Sequence, residues 1–158
     1  MIAQETVTTS TPAFPGTMST IRRATLADRS ALLYMYLGFE PKGVCLGLPP
    51  RKEPQLSIWL DNLSVFPNFV VLVGERIVAH AALCDNGRSG EVAVFVHQDF
   101  RGRGFGKMLL TALVDETRRH GLKNIWGTTE LDNVSMLRLA RSLGFSPGAD
   151  PREFFLLL

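Results

Sequence analysis

A glycine-rich segment between a strand-like run and a helix-like run constrains this chain more than any other part of it. The segment reads Arg101-Gly102-Arg103-Gly104-Phe105-Gly106-Lys107. Before it, residues 91–97 alternate valines with other residues, which predicts a strand. After it, residues 104–120 repeat apolar side chains at helical spacing and stop at Gly121. The first N–H groups of such a helix lack partners and carry partial positive charge.

This segment suits the binding of an anion. Glycines let a phosphate approach the backbone closely, and the arginine and lysine side chains add full positive charges. The pattern differs from a Rossmann fingerprint because its glycines fall at 102, 104 and 106, and from a P-loop because Met108 follows Lys107. Phosphate or pyrophosphate binding and a tight turn with a solvated basic rim both remain open for the loop alone.

The other periodic runs predict a mixed α/β domain with an antiparallel front half. In the first helix, Leu26, Leu33 and Leu37 are expected to form the apolar side. A long loop, residues 38–54, contains three glycines and four prolines. The predicted strands are 21–24, 69–73, 77–83, 91–97, 123–129 and 153–158. The predicted helices are one that is capped by Asp28 or Thr25 and runs to about Leu37, followed by 55–66, 104–120 and 133–143.

Composition favours a single folded domain without a nucleic-acid or membrane partner. The 158 residues are 46% apolar with a net charge of +2, which is too balanced to indicate either partner. Cys45 and Cys84 form neither a disulfide framework nor a zinc pattern, so we expect inert buried thiols. Residues 1–18 are predicted to form a flexible tail and residues 19–158 the domain. The start lacks the pattern of a secretory signal, so we expect a cytoplasmic protein.

Two motifs together resemble a known superfamily. The pattern Arg101-x-x-Gly104-x-Gly106, after residues 94–100, resembles the acetyl-CoA signature of the GNAT N-acetyltransferases. Residues 133–145, from Asn133 to a closing Leu-Gly-Phe, resemble the second motif of that superfamily. The resemblance covers about residues 19–158 and is strongest over 90–145. It implies a GNAT-like fold, in which helices flank a central mixed, mostly antiparallel sheet and a splayed strand pair binds acetyl-CoA.

The resemblance also implies which residues bind the coenzyme, with no metal involved. Backbone groups of Val94 and Val96 would bind the pantetheine arm, and Phe95 between them would belong to the same coenzyme site. Arg101 or Arg103 would add positive charge at the pyrophosphate. Asn133 would meet the coenzyme near its sulfur, and it is also suited to cap the last helix. The backbone groups that would bind the pyrophosphate belong to Gly102, Arg103, Gly104, Phe105, Gly106 and Lys107.

An alkylammonium has a pKa of about 10.4, so it is protonated at neutral pH and cannot attack. Acetyl transfer to an amine therefore requires a base. Glu91 is the acidic residue of the coenzyme strand, and residues 91–96 resemble the strand of bacterial Pat-type protein lysine acetyltransferases in which a glutamate is the general base. A solvated charge at the strand edge is the alternative interpretation of Glu91. Many GNAT proteins have a tyrosine, acting as general acid, at the position of Ala140. Its absence leaves protonation of the thiolate to another group or to solvent.

Other polar residues receive weaker functional interpretations. His97 is expected at the surface or beside the coenzyme, and His80 as a hydrogen-bonded core residue. Glu130 and Asp132 are expected either to attract a cationic amine or to be plain loop charges. The resulting expectation is acetyl transfer from acetyl-CoA to a primary amine by direct attack, with a protein lysine or a small molecule as acceptor. A non-catalytic acetyl-CoA sensor remains the alternative, and both a monomer and a homodimer stay open.

Overall fold

A computed structural model describes residues 12–14, 17–43 and 47–158. Residues 1–11 of the predicted tail and Cys45 lie outside this range. The helices are α1 (Arg29–Leu37), α2 (Gln55–Ser64), α3 (Phe105–Arg119) and α4 (Val134–Ser142). None of these helices is long and apolar enough to cross a membrane. The strands are β1 (Pro12–Phe14), β2 (Thr17–Arg23), β3 (Asn68–Val73), β4 (Arg76–Asp85), β5 (Ser89–Val96), β6 (Asn124–Thr128), β7 (Ser146–Pro147) and β8 (Glu153–Leu157).

The eight strands of the described residues form one sheet in the order β1-β2-β3-β4-β5-β6-β8-β7. Neighbouring strands are antiparallel except for β5 and β6, which are parallel. Helix α3 supplies the crossover that a parallel pair requires. The predicted fold, a mixed and mostly antiparallel sheet with flanking helices, is confirmed.

Two hydrophobic cores lie on opposite faces of the sheet. On one face α3 and α4 pack on the sheet, with Leu109 and Ala140 among the buried side chains. On the other face α1 and α2 bury Tyr36 and Leu60 against β3, β4 and β5. Because successive side chains of a strand alternate between faces, the core residue Ile125 places its neighbour Trp126 on the α1–α2 side of the sheet.

The apolar side of α1 differs from the sequence prediction. Leu32, Met35 and Tyr36 are the buried residues of this helix, whereas Leu26 and Leu37 are 84% and 54% exposed. The prediction that Leu26, Leu33 and Leu37 share the apolar side was therefore wrong. Leu26 belongs to a separate 3₁₀ turn, Leu26–Asp28, so the helical phase begins only at Arg29.

Most other elements lie within a few residues of their predicted bounds. Strand β2, which corresponds to the first predicted strand, begins at Thr17 rather than Ile21. Residues 12–14 and 17–18, which were assigned to the tail, are strand residues. Strand β5 begins at Ser89, two residues before the predicted start. The two-residue strand β7 was not predicted. The division into a flexible tail and a domain starting at residue 19 stays a prediction, and residues 1–11 and 15–16 of that tail lie outside the described range.

We predict that Gly127→Ala destabilises the fold. Gly127 is buried in β6, and a Cβ there would lie 2.6 Å from Phe154 Cζ and 2.7 Å from Val92 Cγ2. Overpacking of this kind should lower the free energy of unfolding by about 1–3 kcal/mol, measured by urea denaturation. Gly38→Ala is the control, because Gly38 has a φ of −93° and the nearest atom would be 3.5 Å away. Equal losses in the two variants would contradict the prediction.

Candidate functional site

Strands β5 and β6 run side by side over a short stretch and then separate. They share three residue pairs, the last of which joins Glu91 and Trp126. Beyond that pair β5 remains bonded to β4 as far as Val96, and β6 remains bonded to β8 as far as Thr128. A V-shaped gap therefore opens in the middle of the sheet, with Glu91 and Trp126 at its apex.

The edge of β5 that faces this gap carries backbone groups without a strand partner. The N–H of His97 donates to Val78 O of β4 at 2.9 Å. Because backbone groups alternate in direction along a strand, those of Phe95 also point to β4, while those of Val94 and Val96 point into the gap. Phe95, which was also predicted as a coenzyme-binding residue, thus directs its backbone groups to β4, and its side chain is buried in the α1–α2 core.

The glycines at the mouth of the gap have distinct structural roles. Gly102 and Gly104 have φ values of 74° and 85°, a region that side chains with a Cβ rarely adopt. Gly104 directly precedes α3, whose first residue, Phe105, is buried in the core. A Cβ on Gly106 would lie 3.1 Å from Leu139 Cδ2, so Gly106 permits the close approach of α3 and α4. The positive φ angles of Gly102 and Gly104 thus form a tight loop directly before the first N–H groups of α3.

Arg101 connects this loop to neighbouring segments by side-chain hydrogen bonds. Its Nε donates to Val96 O at 3.0 Å, and its Nη2 donates to the carbonyl oxygen of Glu40. The guanidinium also lies 5.6 Å from the centre of the Phe39 ring. The exposed side chain therefore connects the glycine loop with the end of β5 and with the segment after α1.

Arg103 and Lys107 place further positive charge on the loop. Arg103 donates from Nη2 to Asp99 O at 3.0 Å, and its guanidinium lies 4.9 Å from the centre of the Phe100 ring. Lys107 is exposed in the first turn of α3. Positive side chains and unpaired helical N–H groups thus occur together, which is the electrostatic arrangement that binds phosphates.

Glu91 lies at the apex of the gap on the α1–α2 side of the sheet. It alternates with Val92, which packs in the α3–α4 core, and it is half-buried. Burial raises the pKa of its carboxyl group. The neighbouring position on β4 is Cys84, whose thiol pKa is raised to about 11 by burial and, secondarily, by the Glu91 carboxylate. Glu91 is therefore a carboxylate held in partly apolar surroundings beside an inert thiol.

Asn133 caps α4, which confirms one of its two predicted roles. Its Oδ1 accepts from Met136 N–H at 3.3 Å, and its Nδ2 donates to Thr129 Oγ1 at 2.9 Å. Ala140 lies further along α4 and is 1% exposed within the α3–α4 core. No hydroxyl is therefore supplied at the position where the resemblance expects a tyrosine.

His80 in β4 and His97, directly after β5, have different surroundings. His80 is fully buried, with Nδ1 2.6 Å from Tyr36 Oη and Nε2 bonded to Asn68 Oδ1, which confirms a hydrogen-bonded core residue. Burial lowers the His80 pKa to about 3. His97 is only 4% exposed, and burial lowers its pKa. The surface alternative for His97 was therefore wrong, since Gly38 at the end of α1 lies close to its ring, while a place beside the coenzyme stays a prediction.

The acidic residues Glu130 and Asp132 lie exposed in the turn between β6 and α4. Sequence analysis did not single out Trp126, which the strand register places beside Glu91. Alternation within the predicted strand 123–129 assigns Trp126 to one face. It does not reveal that this face is left open next to the candidate base, because that depends on which strands the helices cover.

Comparison with known proteins identifies the family. The sequence pattern of the acetyltransferase (GNAT) family matches residues 32–145. An acetyltransferase of Pseudomonas aeruginosa is 33% identical over 92 residues, which cover 54% of this chain and 49% of that protein. The chain thus spans about half the length of this relative. Because the family match extends over most of the chain, the protein belongs to the GNAT family.

Solved structures agree with this assignment. The ribosomal-protein-alanine N-acetyltransferase of Brucella melitensis has a TM-score of 0.70 and 26% identity, with 87% of this chain and 99% of that chain covered. The GNAT domain of S. lividans PAT has a TM-score of 0.75 and 16% identity, with 91% and 93% covered. At that identity the second similarity concerns the fold alone. The GNAT-like fold expected from the sequence is confirmed.

We predict that Asn133→Ala lowers the free energy of unfolding by about 1 kcal/mol even without coenzyme, because the N-cap of α4 is lost. Thermal and urea denaturation of the free protein measure the loss. Ser135→Ala, an exposed change in the first turn of the same helix, is the matched control and should not destabilise. If both variants have the stability of the original chain, the capping role is contradicted.

Proposed function

We propose that this chain transfers the acetyl group of acetyl-CoA to a primary amine. The observation that carries the proposal is the gap between β5 and β6, whose open β5 edge leads to the glycine loop at the start of α3. A pantetheine arm contains amides that can pair with a strand edge, and a pyrophosphate suits free helical N–H groups. Both halves of the coenzyme therefore have matching groups in one continuous site.

In the proposed complex, Val94 and Val96 supply the strand edge for the pantetheine arm. The N–H groups of residues 102–107 bind the pyrophosphate, and Lys107 adds a charge. Arg101 and Arg103 act chiefly by fixing the loop, because their guanidinium groups already bond to backbone carbonyls. Asn133, at the start of α4, contacts the coenzyme near its sulfur.

The proposed reaction is a direct attack. The ammonium of the acceptor gives a proton to Glu91, directly or through water, and the neutral nitrogen attacks the thioester carbon. A backbone N–H from the Val94–Val96 region stabilises the oxyanion that forms. The carbon–sulfur bond then breaks and the nitrogen gives its second proton to water, which leaves an acetamide and a thiolate. Since Ala140 has no hydroxyl, the thiolate takes its proton from water or from another group.

Sequence similarity of residues 91–96 to Pat-type enzymes supports a protein lysine as acceptor, and the fold shared with the S. lividans PAT domain is compatible with it. A small-molecule amine is the other acceptor class. The acceptor class is tested by incubating the protein and acetyl-CoA with proteins, peptides and small amines while free thiol is measured.

We predict that Glu91→Gln lowers kcat by about 100-fold or more, which is the contribution of a general base. Binding of acetyl-CoA, measured by calorimetry, should be unchanged, because Glu91 lies near the start of β5 and the glycine loop follows the other end of that strand. Glu75→Gln, an exposed change in the β3–β4 turn, is the control and should keep full activity. Turnover by Glu91→Gln equal to that of the control would remove Glu91 as base.

The raised pKa of Glu91 predicts opposite pH effects on activity and stability. Activity should fall as the pH falls through this raised value, because the base becomes protonated. Ionisation of the half-buried carboxyl costs stability, and the cost appears as the pH rises above the unfolded value of about 4.3. The free energy of unfolding of Glu91→Gln should therefore equal that of the original chain in acid, and it should be at least as large at about pH 7. A less stable variant at neutral pH would contradict the assignment of burial as the cause.

A non-catalytic acetyl-CoA-binding module is the second candidate, favoured by the methyl group of Ala140 where a general acid is expected. Tight acetyl-CoA binding in calorimetry, with no thiol released in the presence of any amine, would support that candidate.

A further inference from the structure

A row of side chains crosses the sheet beside the candidate base. Backbone register places Cys84 of β4, Glu91 of β5, Trp126 of β6 and Phe155 of β8 at successive partner positions. Partner positions in adjacent strands have side chains on the same face. The surface next to Glu91 is therefore an aromatic pair, Trp126 and Phe155, on the side away from β4.

This pair belongs to an open depression of about 400 Å³ on the sheet. The volume lies within the range of small-molecule sites, which is roughly 300–1,000 Å³. Trp126 and Phe155 are half-buried, and Leu157 is 72% exposed. The depression is lined by Asn124, Trp126, Glu153, Phe154, Phe155 and Leu157.

The neighbouring surface along β5 is already filled. Ala93 packs against the α1–α2 core, and Trp59 of α2 lies edge-on to Phe95 with ring centres 5.4 Å apart. On the β4 side, Cys84 is half-buried beside Glu91. The apolar surface that extends freely from Glu91 is therefore the one that Trp126 and Phe155 form.

Glu153, the acidic residue that lines the depression, has its carboxylate close to the loop that joins β7 and β8. A Cβ placed on Gly148 would lie 2.8 Å from Glu153 Oε2, so this carboxylate lies against that loop. Among the described residues that line the depression, the one carboxylate is therefore at its edge, and the centre presents the aromatic carbon of Trp126 and Phe155 next to Glu91. A second ammonium over these rings would lose hydration for a cation–π contact alone, without a carboxylate partner.

We propose that Trp126 and Phe155 select, as acetyl acceptor, a primary amine carried on an apolar or aromatic carbon skeleton. The skeleton lies in the depression, and the nitrogen lies at Glu91 and the edge of Trp126, where an aromatic ring also attracts the ammonium before it is deprotonated. This selection rests on the proposed acetyl transfer. Both a free arylalkylamine and a lysine beside an aromatic residue in a peptide present this chemistry.

The first test compares phenylethylamine, ethanolamine and spermidine as acceptors for the full chain with acetyl-CoA. Phenylethylamine should have the highest kcat/KM, by about ten-fold or more over ethanolamine, because it buries a ring in the depression. Lysine peptides with and without a neighbouring phenylalanine form the second arm. A preference for the aromatic amine or the aromatic peptide supports the proposal, whereas a preference for spermidine, ethanolamine or the plain peptide overturns it.

The second test changes the aromatic pair. Trp126→Ala and Phe155→Ala should each lower kcat/KM for phenylethylamine by about ten-fold while ethanolamine changes by less than about two-fold, and Trp126→Phe should retain most of the preference. Leu26→Ala, an exposed change on the 3₁₀ turn before α1, is the control, and thermal unfolding checks that every variant is folded. Equal losses for both amines in Trp126→Ala would overturn the proposal.

A binding measurement separates failure of this selection from failure of the proposed reaction. The chain has two tryptophans, so Trp59→Phe leaves Trp126 as the sole tryptophan reporter. Phenylethylamine should quench its fluorescence at concentrations at which ethanolamine does not, whether or not any amine is acetylated. Quenching without turnover would reject the acetyl transfer and keep the binding site. Turnover without selective quenching would reject the role of Trp126 and Phe155.

Discussion

The separation of β5 from β6 is the constraint on which the rest of the site depends. At the apex Gly127 leaves room for Val92 of β5 and Phe154 of β8, and the pairing of β5 with β6 ends one residue earlier, at Trp126. Each strand keeps its outer partner, which costs no backbone hydrogen bonds on that side. Nearer the mouth Gly106 lets α3 approach Leu139 of α4. Both glycines thus permit close packing in the α3–α4 core beside the gap.

The same geometry gives the mouth and the apex of the gap different chemistry. Toward the mouth, the glycine loop combines helical N–H groups with Arg101, Arg103 and Lys107, which suits a polyanion. At the apex Glu91 lies half-buried beside Trp126. Such surroundings disfavour a carboxylate and so cost stability, while they raise its basicity. A donor carrying phosphates and an acceptor carrying an amine would therefore approach the same point from opposite sides.

The sequence predicted the elements well where periodicity was regular and local chemistry marked the ends. The strand before the glycine loop, α3 and the Asn133 cap could be recognised because each depends on a few neighbouring residues. The apolar side of α1 was misread because a 3₁₀ turn shifted its phase at Leu26. The burial of His97 and the exposure of the face around Trp126 depend on which helices cover which strands. Those are long-range contacts, and no local pattern encodes them.

The central claim, that the β5 edge and the glycine loop form one coenzyme site, is tested most directly by amide hydrogen exchange with and without acetyl-CoA. The account predicts slower exchange at Val94, at Val96 and across residues 102–107 when acetyl-CoA is present, with little change at Phe95, whose N–H is directed toward β4. Protection confined to other strands, or unchanged exchange at Val94 and the loop under saturating acetyl-CoA, would contradict it.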